Sequence, residues 1–343
     1  MKRPYLTEDG SWTAAAKLAQ SPDLTPSNDA APPEFAPLRH IGVITNVRSY
    51  RNRREGRQPL DMPDAHVIRV APETREALSR AIAMFAHEGV DLIVVDGGDG
   101  TVRDVISAAH VAYRGNLPRF AILRSGKTNA LAMDLNVPWQ WSLTDILDGH
   151  LKDRVEQRSP VHVRWIKGAH PDRFGFIFGF GAYVRATMLA QKVHKRGLFN
   201  SFAVAMTLAW AILQTFLGGP RSPWKRGDTI RMSRDSADFI SENIYLVLGS
   251  TLRKMPLGLR PFGTLRSGLK FLAIKAPPKG LLRFLPNILS GTNSRRLEKN
   301  GYIRRDVDRV FLSLRKSFIL DGERYPGGNL AVSRGAPVEF IVP

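Results

Sequence analysis

The sequence predicts an α/β domain on a parallel sheet, then a mainly antiparallel β-sandwich domain, behind a disordered N-terminal tail. Three observations predict it. Between residues 39 and 150 apolar strand-like runs alternate with helical spacing, and glycine turns stand where strands end. After about residue 150 the chain changes to short alternating runs divided by turns. Residues 1–38 are rich in Ala, Pro, Ser, Asp and Thr and lack apolar periodicity, the composition of a disordered tail. The expected division is a tail over 1–38, an α/β domain over 39–150 and a β-rich domain over 151–343.

Order is expected from Arg39, where HIGVITN reads as a buried strand. RSYRNRREGRQ reads as a polar, basic loop and HVIRVA as a second strand. Residues 72–88 have helical spacing, with Ala77, Ile82 and Phe85 apolar and Gly89 as the stop. DLIVVDGGDG is a strand running into a glycine turn, and residues 101–113 form the next helix. RFAILRSGKTN repeats the strand–turn pattern, and residues 130–135 open another helix. The runs VHVRWIKG, RFGFIFGFGAYV, TIRMSR, NIYLVLGS, LKFLAIKA, RVFLSLR, SFILDG and PVEFIVP read as antiparallel strands, with helices near 183–217 and 280–290.

At 343 residues the chain is long enough for two cores, and the absence of cysteine excludes disulfides and thiolate metal sites. The net charge of +19 is unevenly divided. Residues 1–150 hold 17 Lys/Arg against 18 Asp/Glu, whereas residues 151–343 hold 33 against 13. A basic field of that size attracts polyanions, either anionic lipid headgroups or nucleic acid. No helix-turn-helix or RNA-binding signature accompanies it, so nucleic acid is disfavoured. No apolar segment follows Lys2 and Arg3 to make a secretory signal. The longest apolar stretch, residues 201–217, has 17 residues including Gln214. That falls short of the roughly 20 needed to span a bilayer, so a buried or interfacial helix is expected. Basic–apolar segments at 192–217 and 279–285 suit the headgroup boundary, although core helices with solvated flanks account for them equally. The histidines show no metal-ligand spacing.

Gly97, Gly98, Asp99, Gly100 and Thr101 follow an apolar strand and precede a helix. Glycines let the backbone approach a phosphate, and a helix N-terminus offers it free N–H groups. Thr101 is placed to cap that helix, with Asp104 as the acidic arm of a capping box. A carboxylate beside phosphates repels them, so Asp99 makes sense if it holds Mg²⁺ or orients the acceptor hydroxyl. A structural turn with a solvated Asp is the alternative. The end of a Walker A loop is suggested by Gly126, Lys127 and Thr128. The first glycine of that loop would fall at Ala121, inside an apolar strand, which excludes a P-loop.

Taken together these segments resemble the diacylglycerol kinase catalytic-domain family of bacterial lipid kinases, with its sphingosine and ceramide kinase relatives. The glycine turn at 97–101 resembles a nucleotide loop that lipid kinases share with NAD kinases. Thr45-Asn46 resembles the Asn-Pro opening of the lipid-kinase domain, with Val47 in place of Pro. ILRSGKTNALA resembles P-x-G-T-x-N-D-x-A through Gly126, Asn129 and Ala132, while Arg124, Lys127 and Ala130 depart from it. LDGE at residues 320–323 and the closing strands resemble the family's C-terminal element, which NAD kinases lack. The resemblance implies ATP and Mg²⁺ as cofactors and transfer of the γ-phosphoryl group to a lipid hydroxyl. It implies nucleotide contacts from Asn46, Thr74, Gly97, Gly98, Asp99, Gly100, Thr101, Gly126, Lys127, Thr128 and Asn129. Asp99 would lie beside the metal and Glu323 would be the general base.

Tyr183, where the family often has an acceptor-binding Asp, favours ceramide or a sphingoid lipid over diacylglycerol. Packing of Tyr183 in the β-domain core is the alternative. The implied setting is cytoplasmic, peripheral to the inner face of the membrane, with anionic lipid engaged by the basic second half. Oligomeric state stays open, a homodimer included. Rival readings are a soluble-substrate kinase of the NAD kinase type and a non-catalytic lipid-binding protein.

Overall fold

The computed structural model describes residues 40–55, 67–147, 154–168, 170–195, 227–234, 240–264 and 267–343. The expected tail and the apolar stretch at 201–217 lie outside them. Among the described residues no helix is long and apolar enough to cross a membrane.

Four strands, β1 (Ile41–Thr45), β2 (Val67–Val70), β3 (Leu92–Gly97) and β4 (Arg119–Arg124), form a parallel sheet in the order β2-β1-β3-β4. Every residue of β3 is buried, as a central strand covered on both faces requires. Helix α2 (Arg75–His87) is capped by Thr74, whose hydroxyl accepts from Ala77 N–H at 3.1 Å. Leu78, Ala81, Ile82 and Phe85 form its buried stripe at helical spacing. The Phe85 ring occupies the space where residue 42 would carry a Cβ, which is why a glycine stands there. Helix α3 (Asp99–Ala112) packs beside α2 and buries Val102, Val105, Ile106 and Ala109.

Two further strands extend this sheet. β5 (Arg154–Arg158) pairs antiparallel with the last strand, Val338–Val342, which itself runs parallel beside β4. The chain leaves the first layer after β5 and returns to it at the C-terminus, so PVEFIVP belongs to the six-stranded sheet. The basic segment after β1 differs too: residues 50–55 form helix α1 (Tyr50–Glu55), not loop. Asn52 of α1 donates to Asp96 Oδ2 at 3.0 Å and to Asn46 O at 3.1 Å, so tertiary bonds hold it.

The remaining strands form the expected mainly antiparallel domain as one continuous 11-stranded curled sheet. Its inner face carries Trp165, Phe178, Phe180, Phe271 and Phe318. The opposite side is covered by α6 (Ala182–Lys195) and α7 (Leu281–Ser290), whose Ala182, Leu281 and Ile288 join Tyr245, Leu272 and Tyr302.

Helix α3 joins the two layers. Its stripe Arg103, Ser107 and His110, at i, i+4 and i+7, faces β7 (Arg173–Gly175). Ser107 Oγ accepts from Phe174 N–H at 3.1 Å, and the His110 ring stacks on Phe174 at 3.5 Å. A second tie lies at the far end of helix α4 (Ala130–Asp134). Buried Asp134 accepts from Arg158 Nε at 2.6 Å and from the Lys254 backbone N–H. Asp134→Ala leaves the Arg158 guanidinium buried beside a lost partner, and should destabilise the chain by about 3–5 kcal/mol in urea unfolding. A loss below about 1 kcal/mol would show that this tie is dispensable.

Candidate active site

The carboxyl ends of β1, β3 and β4 are tied to one another. Ser125, after β4, donates to Asp96 Oδ1, and Ser125 N–H donates to Gly97 O at 3.3 Å. Asn46 N–H donates to Asp96 O at 2.9 Å. The glycine turn and the 126–129 loop then touch through bare backbone. A Cβ on Gly126 would lie 2.5 Å from Gly98 Cα, so no other residue allows this approach. Asn129 locks the second loop from beneath, accepting from Gly126 N–H at 2.9 Å and donating to Gly126 O at 2.7 Å. It is buried and takes a left-handed backbone, φ 50°.

Helix α3 starts at Asp99, with Gly98 as its cap. The expected capping box is therefore absent. Thr101 stands inside the first turn and accepts from Asn46 Nδ2 at 2.8 Å. Asp104 accepts from Arg103 at 2.9 Å and from Arg75 at 3.3 Å instead of reaching back to the cap.

Beside these loops lies a cavity of about 400 Å³ lined by Asn46, Thr74, Gly98, Gly100, Thr101 and Gly126, together with Arg75, Arg103 and Glu323. Six of the expected nucleotide contacts thus share one cleft. Lys127 and Thr128 are exposed at the loop tip, outside the lining, and Gly97 is buried at the end of β3. Asp99 is half-buried at the start of α3, and its carboxylate reaches the first turn of α4, where Oδ1 accepts from Leu131 N–H at 3.3 Å. Burial pushes its carboxyl up from the ordinary range, and backbone N–H groups of Leu131, Ala130 and Asn129 oppose that rise.

Glu323 reaches this cleft from the other domain. It follows the hairpin turn of β14 (Phe318–Leu320), where Asp321 and Gly322 both have positive φ, as a tight Asp-Gly turn requires. Its carboxylate pairs with Arg75 Nη2 at 3.2 Å and Arg103 Nη2 at 3.9 Å. The two arginines share Asp104, so four charges close a ring across the domain junction. Arg103 is only 2 % exposed and also donates to Leu320 O at 3.1 Å and Asp321 O at 3.4 Å. Sequence reading missed Arg75, Arg103 and Asp104 as site residues. The signal present was a cation directly after Thr74 and another two residues after the glycine motif, both on helices already identified.

Asp321 accepts from Phe176 N–H at 3.0 Å and Ile177 N–H at 2.8 Å. Burial, aided by the Asp99 charge and opposed by Arg103, pushes its carboxyl up to about 7. Tyr183 lies half-buried on α6, with its ring over Gly179. Burial raises its hydroxyl, and the charges of Asp321 and Asp99 add to the rise. Among the described residues no group of three or more His, Cys, Asp or Glu could hold a metal ion by itself.

Residues 43–158 match the family model described as the diacylglycerol kinase catalytic domain. No curated protein matches the sequence. A solved structure described as a diacylglycerol kinase from Bacillus anthracis str. Sterne superposes with a TM-score of 0.59 at 14% identity. The match covers 90% of this chain and 98% of that one. A further chain from that organism, provisionally described as a diacylglycerol kinase, gives 0.61 at 15% identity over 90% and 99%. At these identities the likeness concerns the fold, over both domains.

The Asp321 shift has a consequence for stability. Between its unfolded value near 3.8 and about 7, the folded chain holds a proton that the unfolded chain has released. Its contribution to stability therefore declines as pH rises through that window and is flat above it. Asp321→Asn should remove this slope in urea unfolding between pH 4.5 and 8. Parallel curves for the variant and the unmodified chain would contradict the assignment.

Proposed function

We propose that this chain, whose residues 43–158 are of the diacylglycerol kinase catalytic-domain family, is an ATP-dependent lipid kinase. The observation that carries the reading is the meeting, in one cleft, of a backbone phosphate cradle with a carboxylate from the opposite domain. Phosphoryl transfer asks mainly for positioning and charge stabilisation, and this cleft supplies both. The acceptor oxygen would bond to the γ-phosphorus as the bond to the β-phosphate oxygen breaks, releasing ADP. The hydroxyl proton would pass to Glu323, since an aliphatic alcohol is a weak nucleophile until a positioned base takes that proton. Gly98, Gly100 and Thr101 would face the phosphates, and Gly126 would close the cradle.

A bound Mg²⁺ would neutralise phosphate charge, with Asp99 as its protein contact. Asp99 stands beside the cleft lining with Oδ1 on Leu131 N–H, and an ion arriving with the nucleotide would need it as one of the one or two carboxylates that commonly hold Mg²⁺ together with phosphates and water. The excess of 33 Lys/Arg over 13 Asp/Glu after residue 150 supports docking on the anionic inner face of a membrane. The names of the structural relatives favour diacylglycerol as acceptor; Tyr183 is the argument for ceramide or a sphingoid lipid.

Labelled ATP with vesicles carrying diacylglycerol, monoacylglycerol, ceramide or sphingosine tests the reading. One of these lipids should become labelled, and Glu323→Gln should lower that turnover at least about tenfold. Lipid binding without label transfer would replace the kinase reading with a lipid-binding one. Transfer to NAD alone would point to a soluble-substrate kinase.

A further inference from the structure

The ring of Arg75, Asp104, Arg103 and Glu323 leaves the proposed base paired with a cation. Its two arginines differ in kind. Arg103 is 2 % exposed and fixed by the Leu320 and Asp321 carbonyls, while Arg75 is 47 % exposed and Glu323 44 %. Arg75 uses two edges: Nε donates to Asp104 Oδ2 at 3.3 Å, and Nη2 meets Glu323 Oε1 at 3.2 Å. The Asp104 contact anchors the guanidinium to α3. The Glu323 contact is a solvated pair of long side chains, of the kind that costs little to break. Both partners line the same cleft as Gly98, Gly100 and Thr101, and Thr74, immediately before Arg75, lines it as well.

We propose that Arg75 is a phosphate-operated latch that holds Glu323 until a nucleotide triphosphate enters the cleft and takes over its outer edge. This rests on the kinase reading above and names how its base is released. The exchange has a chemical direction. A guanidinium matches phosphate oxygens with two parallel N–H bonds, and a triphosphate offers more negative charge than one carboxylate. Asp104 keeps the guanidinium beside α3 while the outer amine changes partner, so a turn of the Arg75 side chain suffices. Once Arg75 turns to phosphate, Glu323 keeps only the longer 3.9 Å contact with Arg103 and faces the cleft with its carboxylate available for the acceptor proton. Without nucleotide, the carboxylate stays paired. Arg75 is thus a nucleotide-binding residue that also positions the base.

The test is a binding cycle with the full chain, read by calorimetry with a non-hydrolysable ATP analogue and with adenosine. Arg75→Gln should weaken the analogue at least tenfold and leave adenosine unchanged. Glu323→Gln should tighten the analogue several-fold by removing the competitor for Arg75. In the Arg75→Gln background the same Glu323→Gln change should have no effect. Arg75→Lys, which keeps the charge but not the two-bond geometry, should restore binding only in part. Analogue binding that Arg75→Gln leaves unchanged would overturn the latch and leave the kinase reading standing. Tightening by Glu323→Gln that persists without Arg75 would also overturn it, because a general field effect would then explain the gain. Failure of the unmodified chain to bind the analogue would sink the nucleotide reading and the latch together. Circular dichroism of each variant separates these results from misfolding.

Discussion

The buried guanidinium of Arg103 is the contact on which the rest of the site depends. It projects from the N-terminal part of α3, two residues beyond the glycine motif, and grips the backbone of the turn that carries Glu323. A buried cation must have its charge and its donors satisfied, and here the partners come from both domains. Asp104 supplies the counter-charge from the same helix, and the Leu320 and Asp321 carbonyls supply acceptors from the other domain. The Tyr325 ring lies 5.7 Å away. Satisfying this one group therefore fixes the distance between the glycine loops and the carboxylate opposite them.

The same helix sets the wider geometry. Its N-terminus forms one wall of the cleft, its apolar face packs on the parallel sheet, and its third face docks on Phe174 through Ser107 and His110. The return of the last strand to the first sheet closes the chain around this axis. Loops, interface and cleft are consequences of one helix being satisfied on three sides.

Much of this was legible in the sequence. Strand–helix alternation revealed the parallel sheet, and the glycine turns marked the strand ends where ligands bind. Other features were hidden for physical reasons. PVEFIVP has the pattern of any half-buried strand, and periodicity does not say which sheet it joins. Helix α1 has no apolar stripe and exists through bonds to Asp96 and Ser125, partners more than forty residues away. Thr101 read as a cap because Thr prefers that place, but the helix is capped three residues earlier, at Gly98. Arg103 was not singled out, since a sequence does not reveal which polar stripe meets a second domain. Glu323 entered only through family resemblance, and its pairing with Arg75 and Arg103 came from the structure.

The central claim is that Arg103 positions a base from one domain against the nucleotide loop of the other. Single-turnover phosphoryl transfer by Arg103→Met tests it most directly. Removing one member of a buried ion pair costs about 3–5 kcal/mol, so transfer is compared at equal folded fraction, with folding read by circular dichroism. The account predicts a chain that folds and still binds an ATP analogue, with transfer slowed by about 10²-fold, the scale of a misplaced catalytic group. Transfer at the unmodified rate would contradict it.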